Sequence, residues 1–283
     1  MAPPGVMISG ALSIRKGSTG RDGPERPDGW LNLLPRFISR EITSEKNRGM
    51  LGWFWFVVTP ILLLMVYWFV FGIIFQARAP QGLEVPFVAW LAVALWPWLA
   101  FSDGCLRGAR SIRQHAALLS KLAIPRALLT TSSLTAAFIL QMLGYSIVLL
   151  VLWFADVPLS VKGLPHLLLV MTTLYFFALG FALFFAAVQT FLRDLEQLLP
   201  TLFMFWFFLT PILYGPDLLP SGMERWLQFN PMTWWMDEIR NILFHGKWLP
   251  DAAFITLVLT SAVSFWVGKR VFDRLSPHFE DFL

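Results

Sequence analysis

Few residues of this sequence have the types and spacing that catalysis requires. The chain has four histidines, His115, His166, His245 and His278. They are widely separated and form no H-E-x-x-H pair, so they do not predict a metal site. Asp194 and Glu196 are two residues apart, which is the wrong spacing for one helix face. They are interpreted as part of a solvated turn that pairs with Arg193 or with a partner.

The sequence lacks the residues that nucleotide hydrolysis and ion-coupled transport need. No G-x-x-x-x-G-K-[ST] loop occurs, so the chain cannot hydrolyse ATP by that route. The apolar segments hold almost no carboxylates, which disfavours proton or ion coupling. Asp237, Glu238 and His245 are the only clustered acid–base candidates. They support the alternative of an integral enzyme or scaffold of envelope synthesis.

The composition is that of a membrane protein. Of the 283 residues, 57% are hydrophobic and only 14% are charged, with a mean hydropathy of +0.62. Soluble domains average about 25% charged residues. The net charge of +4 does not indicate nucleic acid, because the basic residues fall between apolar runs rather than along one face. The single cysteine, Cys105, excludes an internal disulfide framework.

The elements that carry these residues are predicted to be all α-helical. Residues 53–75 contain no formal charge, and a helix of that length spans the ~30 Å core of a bilayer. Six membrane spans are predicted, at about 53–75, 86–101, 128–154, 164–188, 198–213 and 252–272. With six spans, 17 of the 22 Lys and Arg residues fall on one side, which predicts that both termini are cytoplasmic.

Two segments outside the spans have a structure of their own. Residues 1–30 are rich in Pro, Gly, Ser and charge and predict a disordered cytoplasmic tail. From 31 to 47, Leu34, Phe37 and Ile38 fall on one helix face, while Arg36 and Arg40 take the other. This pattern predicts an amphipathic helix in the membrane interface, in preference to an ordinary soluble helix.

The segment Tyr214–Pro250 is too apolar for a solvated loop and has too many prolines and charges for a span. A re-entrant helical hairpin between the fifth and sixth spans satisfies both constraints. Such a hairpin must pack against protein or line a water-filled cavity.

Two further features bear on function. The inner segment 102–127 is apolar as well as basic, which favours docking on another protein over simple contact with the membrane surface. Aromatic residues are dense in the first span, the fifth span and the hairpin. Such rings usually face lipid or pack in the core, but they could instead stack against the apolar faces of sugars along a channel.

Four stretches resemble the membrane permeases of the ABC-2 type that export O-antigen, capsule and teichoic-acid polymers. They are LGWFWFVVTPILLLMVYWFVFGIIF (51–75), LLSKLAIPRALL (118–129), FLRDLEQLLPTLFMFWFFLTPILY (191–214) and NPMTWWMDEIRNILFHG (230–246). The resemblance runs from Arg36 to Phe272 and implies a transmembrane domain over 31–283. It leaves only residues 1–30 outside.

This resemblance implies a homodimer in the bacterial inner membrane, docked on separate nucleotide-binding subunits that hold ATP and Mg²⁺, with no cofactor in this chain. The first and fifth spans would then line a channel for a lipid-linked glycan, through Tyr67, Trp68, Phe71, Phe75, Phe205, Trp206 and Phe208. An outer gate would contain Trp226, Trp234 and Trp235. Docking on the ATPase would use Arg36, Arg40, Arg113, Leu119, Lys121, Ile124, Pro125 and Arg126. A drug or small lipid is the alternative cargo, and neither the polymer nor its lipid anchor can be read from the sequence.

Overall fold

The computed structural model describes residues 28–46, 52, 54–79, 85–119, 124–215 and 227–282. Several predictions lie outside these residues: the tail up to residue 27, the docking residue Lys121, the gate residue Trp226 and the hairpin segment 216–226.

The described chain is helical throughout, apart from turns and one isolated bridge between Arg78 and Pro86. The α-helices are α1 (Asp28–Lys46), α2 (Phe54–Tyr67), α3 (Phe87–Gln114), α4 (Ala116–Leu119), α5 (Arg126–Phe154), α6 (Leu164–Phe191), α7 (Leu195–Leu209), α8 (Pro231–His245) and α9 (Ala252–Leu275). A π-helical segment (Trp68–Ile74) extends α2, and 3₁₀ turns occupy Val161–Gly163 and Ser276–Asp281. The all-α fold is confirmed.

Five helical segments among these residues are long and apolar enough to cross a membrane. They are Phe54–Ile74, Phe87–Gln114, Arg126–Phe154, Val161–Phe191 and Ala252–Phe279. The chain is therefore a multi-pass membrane protein. The predicted fifth span is realised as α7, which has 15 residues and is about 22 Å long. It ends at Leu209 instead of residue 213, because Thr210 precedes Pro211 and takes an extended conformation.

Helix α3 extends beyond the predicted second span. The span is predicted over 86–101, with the basic segment 102–127 on the inner side, and α3 continues as one helix to Gln114. The charges that suggested a loop are paired in the helix: Arg107 Nε lies 2.9 Å from Asp103 Oδ1, one turn away. The first part of the inner segment, up to Gln114, is thus a continuation of the α3 helix.

The core is built around α3, which is buried along almost its whole length. It packs against α5 and α6, and α6 packs closely against α9. Gly180 and Gly268 allow that second contact, because a Cβ on Gly268 would lie 2.0 Å from the Gly180 carbonyl oxygen. In contrast, α2 is mostly exposed in the single chain.

The amphipathic helix is present as α1, which packs on α5. Its apolar residues Phe37 and Ile38 are half-buried, while Arg36 and Arg40 are exposed, as the pattern predicts. Its location in the membrane interface stays a prediction.

One limb of the predicted hairpin is described. Pro231 occupies the first turn of α8, and the Asn230 side chain accepts a hydrogen bond from the Met232 amide. The helix ends at His245, and Gly246 after it adopts the left-handed conformation at φ 69°. Both ends are therefore encoded locally, and α8 is buried against α3, α6 and α9.

Candidate functional site

The aromatic residues predicted to line a channel on the first span do not share one face. Tyr67, Phe71 and Phe75 form a row, with ring centroids 5.9 and 5.8 Å apart. Phe71 also contacts Phe87 of α3 at 5.4 Å, so the row lies along the α3 side. Trp68 is 54% exposed and makes no ring contact with the other described residues. The row and Trp68 therefore offer two distinct surfaces.

The channel residues on α7 are also divided. Trp206 packs against Phe101 at 5.3 Å, and its Nε1 donates to Asn230 Oδ1 at 2.8 Å. Phe205 and Phe208 lie on the exposed side of the helix. Within the described residues, no ring contact joins the predicted rings of α2 to those of α7. One chain alone therefore does not bring the two sets together.

The two described gate residues of α8 differ in burial. Trp235 is fully buried; its Nε1 donates to Thr173 Oγ1 at 3.0 Å, and its ring lies 4.6 Å from Phe177. Trp234 is half-buried and donates to the Gln228 carbonyl at 3.1 Å. In this conformation Trp235 is a packing residue, and only Trp234 has a surface that a moving substrate could touch. A gating role for either stays a prediction.

The predicted docking residues gather at one end of the molecule. Leu119 and Ile124 are half-buried beside exposed Pro125, in and after α4. Helix α1, which carries exposed Arg36 and Arg40, is attached there, because Glu41 Oε1 lies 3.3 Å from His115 Nε2 at the end of α3. We call this the docking end.

Two of the docking arginines are engaged within the chain. Arg113 Nη1 lies 3.1 Å from Glu196 Oε2 in the first turn of α7. Arg126 donates to the Ser276 carbonyl oxygen, which attaches the C-terminal turn to the start of α5. Sequence reasoning placed Glu196 in a solvated loop and did not identify this contact between α3 and α7.

The structure reveals a buried charge cluster at the opposite end. Glu238, which is 2% exposed, lies 2.6 Å from Lys247 Nζ and 3.4 Å from His166 Nε2. Asp237 and His245, the other members of the predicted acid–base cluster, are exposed instead. Because Lys247 neutralises Glu238, this cluster ties α8 to α6 and the α8–α9 turn. No group of three acidic, histidine or cysteine residues in the described chain is placed to hold a metal.

Arg240 is a second buried charge that the sequence placed in an outside loop. Its guanidinium lies 3.6 Å from the centroid of the Trp90 ring, and Nη1 donates to the Pro211 carbonyl at 2.8 Å. No hydrogen-bond partner for Nε or Nη2 is found among the described residues. Arg240 thus joins α8 to α3 and to the turn after α7. No sequence signal identifies the partner ring, because the two residues are far apart in the chain.

Comparison with known proteins finds relatives that align with most of this chain and most of their own length. An O-antigen export system permease protein of Myxococcus xanthus is 27% identical over 254 residues, which is 88% of this chain and 94% of the relative. A protein of the same description from Klebsiella pneumoniae is 23% identical over 256 residues, covering 89% and 95%. A polysialic acid transport protein of Escherichia coli is 23% identical over 240 residues, covering 82% and 89%.

The family assignment follows from a match to a family model. The family described as ABC-2 type transporter matches residues 34–244, which run from α1 to the end of α8. This range holds all of the described channel, gate and docking residues. Because the match covers well over half of the 283 residues, the chain belongs to the ABC-2 type transporter family.

Proposed function

We propose that this chain is the transmembrane subunit of an ATP-driven exporter that moves a lipid-linked polysaccharide across the bacterial inner membrane. The observation that carries the proposal is the near full-length similarity to O-antigen and polysialic acid export proteins, within one transporter family. The polymer is of the O-antigen, capsule or teichoic-acid type.

The energy comes from a separate nucleotide-binding subunit that holds ATP and Mg²⁺. The absence of a phosphate-binding loop motif from the sequence supports this division of labour. The docking end supports it as well, because it combines exposed cations (Arg36, Arg40) with partly exposed apolar residues (Leu119, Ile124). Such a mixture suits a protein partner better than bulk water. The permease itself carries out no chemical step.

Two copies of the chain enclose the translocation path. Trp68 and Phe75, in and just after the π-helical extension of α2, and Phe205 and Phe208 on α7 are all more than half exposed in the single chain. In a dimer, the second copy lies against these exposed faces. Aromatic rings offer few fixed hydrogen bonds, so a glycan can move along them. Both termini, α4 and the α6–α7 turn face the cytoplasm in this arrangement.

Ile124→Glu tests the proposal. A charge at this half-buried position of the docking end would be desolvated against the partner, and an unpaired charge there weakens association by about tenfold or more. We expect the variant to insert normally, to lose co-purification of the ATPase subunit and to lose surface polysaccharide. Val161→Glu is the matched control, because Val161 is an exposed apolar residue at the opposite end. Normal surface polymer and normal ATPase recovery in Ile124→Glu would contradict the docking assignment.

A further inference from the structure

The last turns of α3 carry charged residues that contact helices on two sides. Arg107, Arg110 and Arg113 lie at three-residue intervals, and His115 follows the last turn. All four form ion pairs with described residues. The ion pairs fall into two sets, one with acidic residues of α1 and one with an acidic residue of α7.

The first set of partners is on α1. Arg107 Nη1 lies 2.5 Å from Glu45 Oε1, and His115 Nε2 lies 3.3 Å from Glu41 Oε1. Glu41 also accepts a hydrogen bond from Ser133 of α5. The amphipathic helix is therefore held against the docking end of α3 at two points.

The second partner is a single residue on α7. The Glu196 carboxylate lies 3.1 Å from Arg113 Nη1, through Oε2, and 3.8 Å from Arg110 Nε, through Oε1. All three side chains are about one-third to two-fifths exposed, and pairs of that kind contribute only about 0–1 kcal/mol to stability. Holding the fold together is thus a weak reason for two arginines to converge on one carboxylate.

The same two helices are joined again deeper in the bundle. Phe101 of α3 contacts Phe203 at 5.6 Å and Trp206 at 5.3 Å on α7. Phe101 lies 12 residues before Arg113, a distance of about 18 Å along α3. Helices α3 and α7 are therefore attached at two heights.

We propose that Glu196 is a positioning residue for transport, which passes motion of the docking end of α3 to α7. Helix α7 is the one that carries exposed Phe205 and Phe208, so its position sets the width of the proposed path. The inference rests on the proposed function, because coupling has meaning only if a motor acts at the docking end.

A role of Glu196 in stabilising α7 alone must be separated from coupling by a control variant. A carboxylate in the first turn of a helix stabilises the helix dipole by about 0.3–1 kcal/mol, whatever it contacts. Asp194, the residue that precedes α7, is exposed and forms no ion pair among the described residues. Asp194→Asn therefore removes the same charge from the same helix end without touching α3.

The test compares Glu196→Gln with Asp194→Asn in the full complex with its ATPase subunit. For Glu196→Gln we expect normal complex recovery and ATP hydrolysis, with surface polysaccharide lowered about fivefold or more, the range of a typical coupling free energy. Asp194→Asn should export like the wild type. Equal export by wild type and Glu196→Gln, or equal losses in both variants, would overturn the inference.

Charge reversal gives a second, independent measurement. Glu196→Arg places a cation against Arg110 and Arg113 and should lose more export than Glu196→Gln. Adding Arg110→Glu, at a residue outside the predicted docking set, restores an opposite-charge pair, so export should recover toward the wild-type level. A dipole role predicts no recovery, since the cation remains at the start of α7. If deleting the whole chain left surface polymer unchanged, the proposed function would fail instead, which separates the two failures.

Discussion

At the residue scale, the two buried charges of α8 are stabilised in different ways. Glu238 has a cation, Lys247, at 2.6 Å. Arg240 has no carboxylate within ion-pair distance among the described residues, and it relies on the Trp90 ring and the Pro211 carbonyl. A desolvated cation over a tryptophan face gains about 2 kcal/mol. The planar guanidinium provides this stacking together with the hydrogen bond, which an ammonium group does not reproduce.

Arg240→Lys should therefore destabilise the protein even though the charge is kept. We expect a loss of about 2 kcal/mol, measured as a lower Tm of the detergent-purified chain. His245→Gln on the same helix is the control, because His245 is exposed and should tolerate the change within about 0.5 kcal/mol. An unchanged Tm for Arg240→Lys would show that the ring contact does not stabilise α8.

The Glu41–His115 pair predicts a pH dependence at the docking end. The hydrogen bond to Glu41 raises the pKa of His115, and the same contact lowers the pKa of Glu41. The folded state thus holds the His115 proton more tightly. Its contribution is complete below the ordinary histidine pKa and is lost as the pH rises through the raised value. The Glu41 contribution is present above the ordinary glutamate pKa and is lost as the pH falls through the lowered value.

The pair should consequently be strongest in the window between those two ordinary pKa values. We expect the free energy of unfolding to fall by on the order of 1 kcal/mol or less as the pH rises from about 6 to 9, seen as a lower Tm. In His115→Gln this part of the decline should disappear, whereas His278→Gln, at an exposed position, should keep it. A wild-type decline in His115→Gln would assign the pH dependence to other groups.

The aromatic residues show how far the sequence could predict the site. Adjacent Trp234 and Trp235 look equivalent in the chain, yet one is half-buried and the other fully buried. Which face of a helix is buried depends on its neighbours, and α8 is surrounded by α3, α6 and α9. Because Glu238 and Arg240 are charged and yet buried, the polar residues of α8 do not indicate its orientation. The residue types could therefore be predicted, but not the surfaces they form.

At the scale of elements, the composition and length of the apolar runs were sufficient to predict most helices. The runs that became α5 and α6 begin within two residues of their predicted boundaries, because proline stands at or next to each start. The end of α3 could not be predicted in this way. Its charges signal a loop unless their partners are known, and three of the four acidic partners lie on other helices.

The contact between α6 and α9 makes a prediction at this scale. A Cβ on Gly268 would lie 2.0 Å from a backbone oxygen of α6, which cannot move away like a flexible side chain. Gly268→Ala should force the helices apart and cost about 1–3 kcal/mol, seen as a lower Tm. Gly72→Ala is the control, since its nearest neighbour would be the Trp68 ring at 3.5 Å. Equal Tm values for the two variants would show that this crossing is not tightly packed.

At the scale of the whole molecule, the two ends have different characters. The docking end holds α1, α4, the α6–α7 turn and the C-terminal turn, connected by the contacts of Glu41, Glu196 and Arg126. The opposite end holds the α5–α6 and α8–α9 turns, where Lys247 bridges Glu238 and Asp251. A motor in the cytoplasm can act only on the first end. The proposed function therefore requires one orientation in the membrane.

Thiol labelling can determine that orientation with little background, because the single cysteine, Cys105, is fully buried. Leu192→Cys marks the α6–α7 turn at the docking end, and Leu249→Cys marks the α8–α9 turn at the other; both leucines are more than half exposed. We expect a membrane-impermeant maleimide added to spheroplasts to label the Leu249 variant and spare the Leu192 variant until the membrane is permeabilised. The excess of Lys and Arg near the docking end gives the physical reason, since basic segments are retained in the cytoplasm. Labelling of the Leu192 variant from outside would put the docking end beyond the reach of ATP, and the exporter assignment would then have to be abandoned.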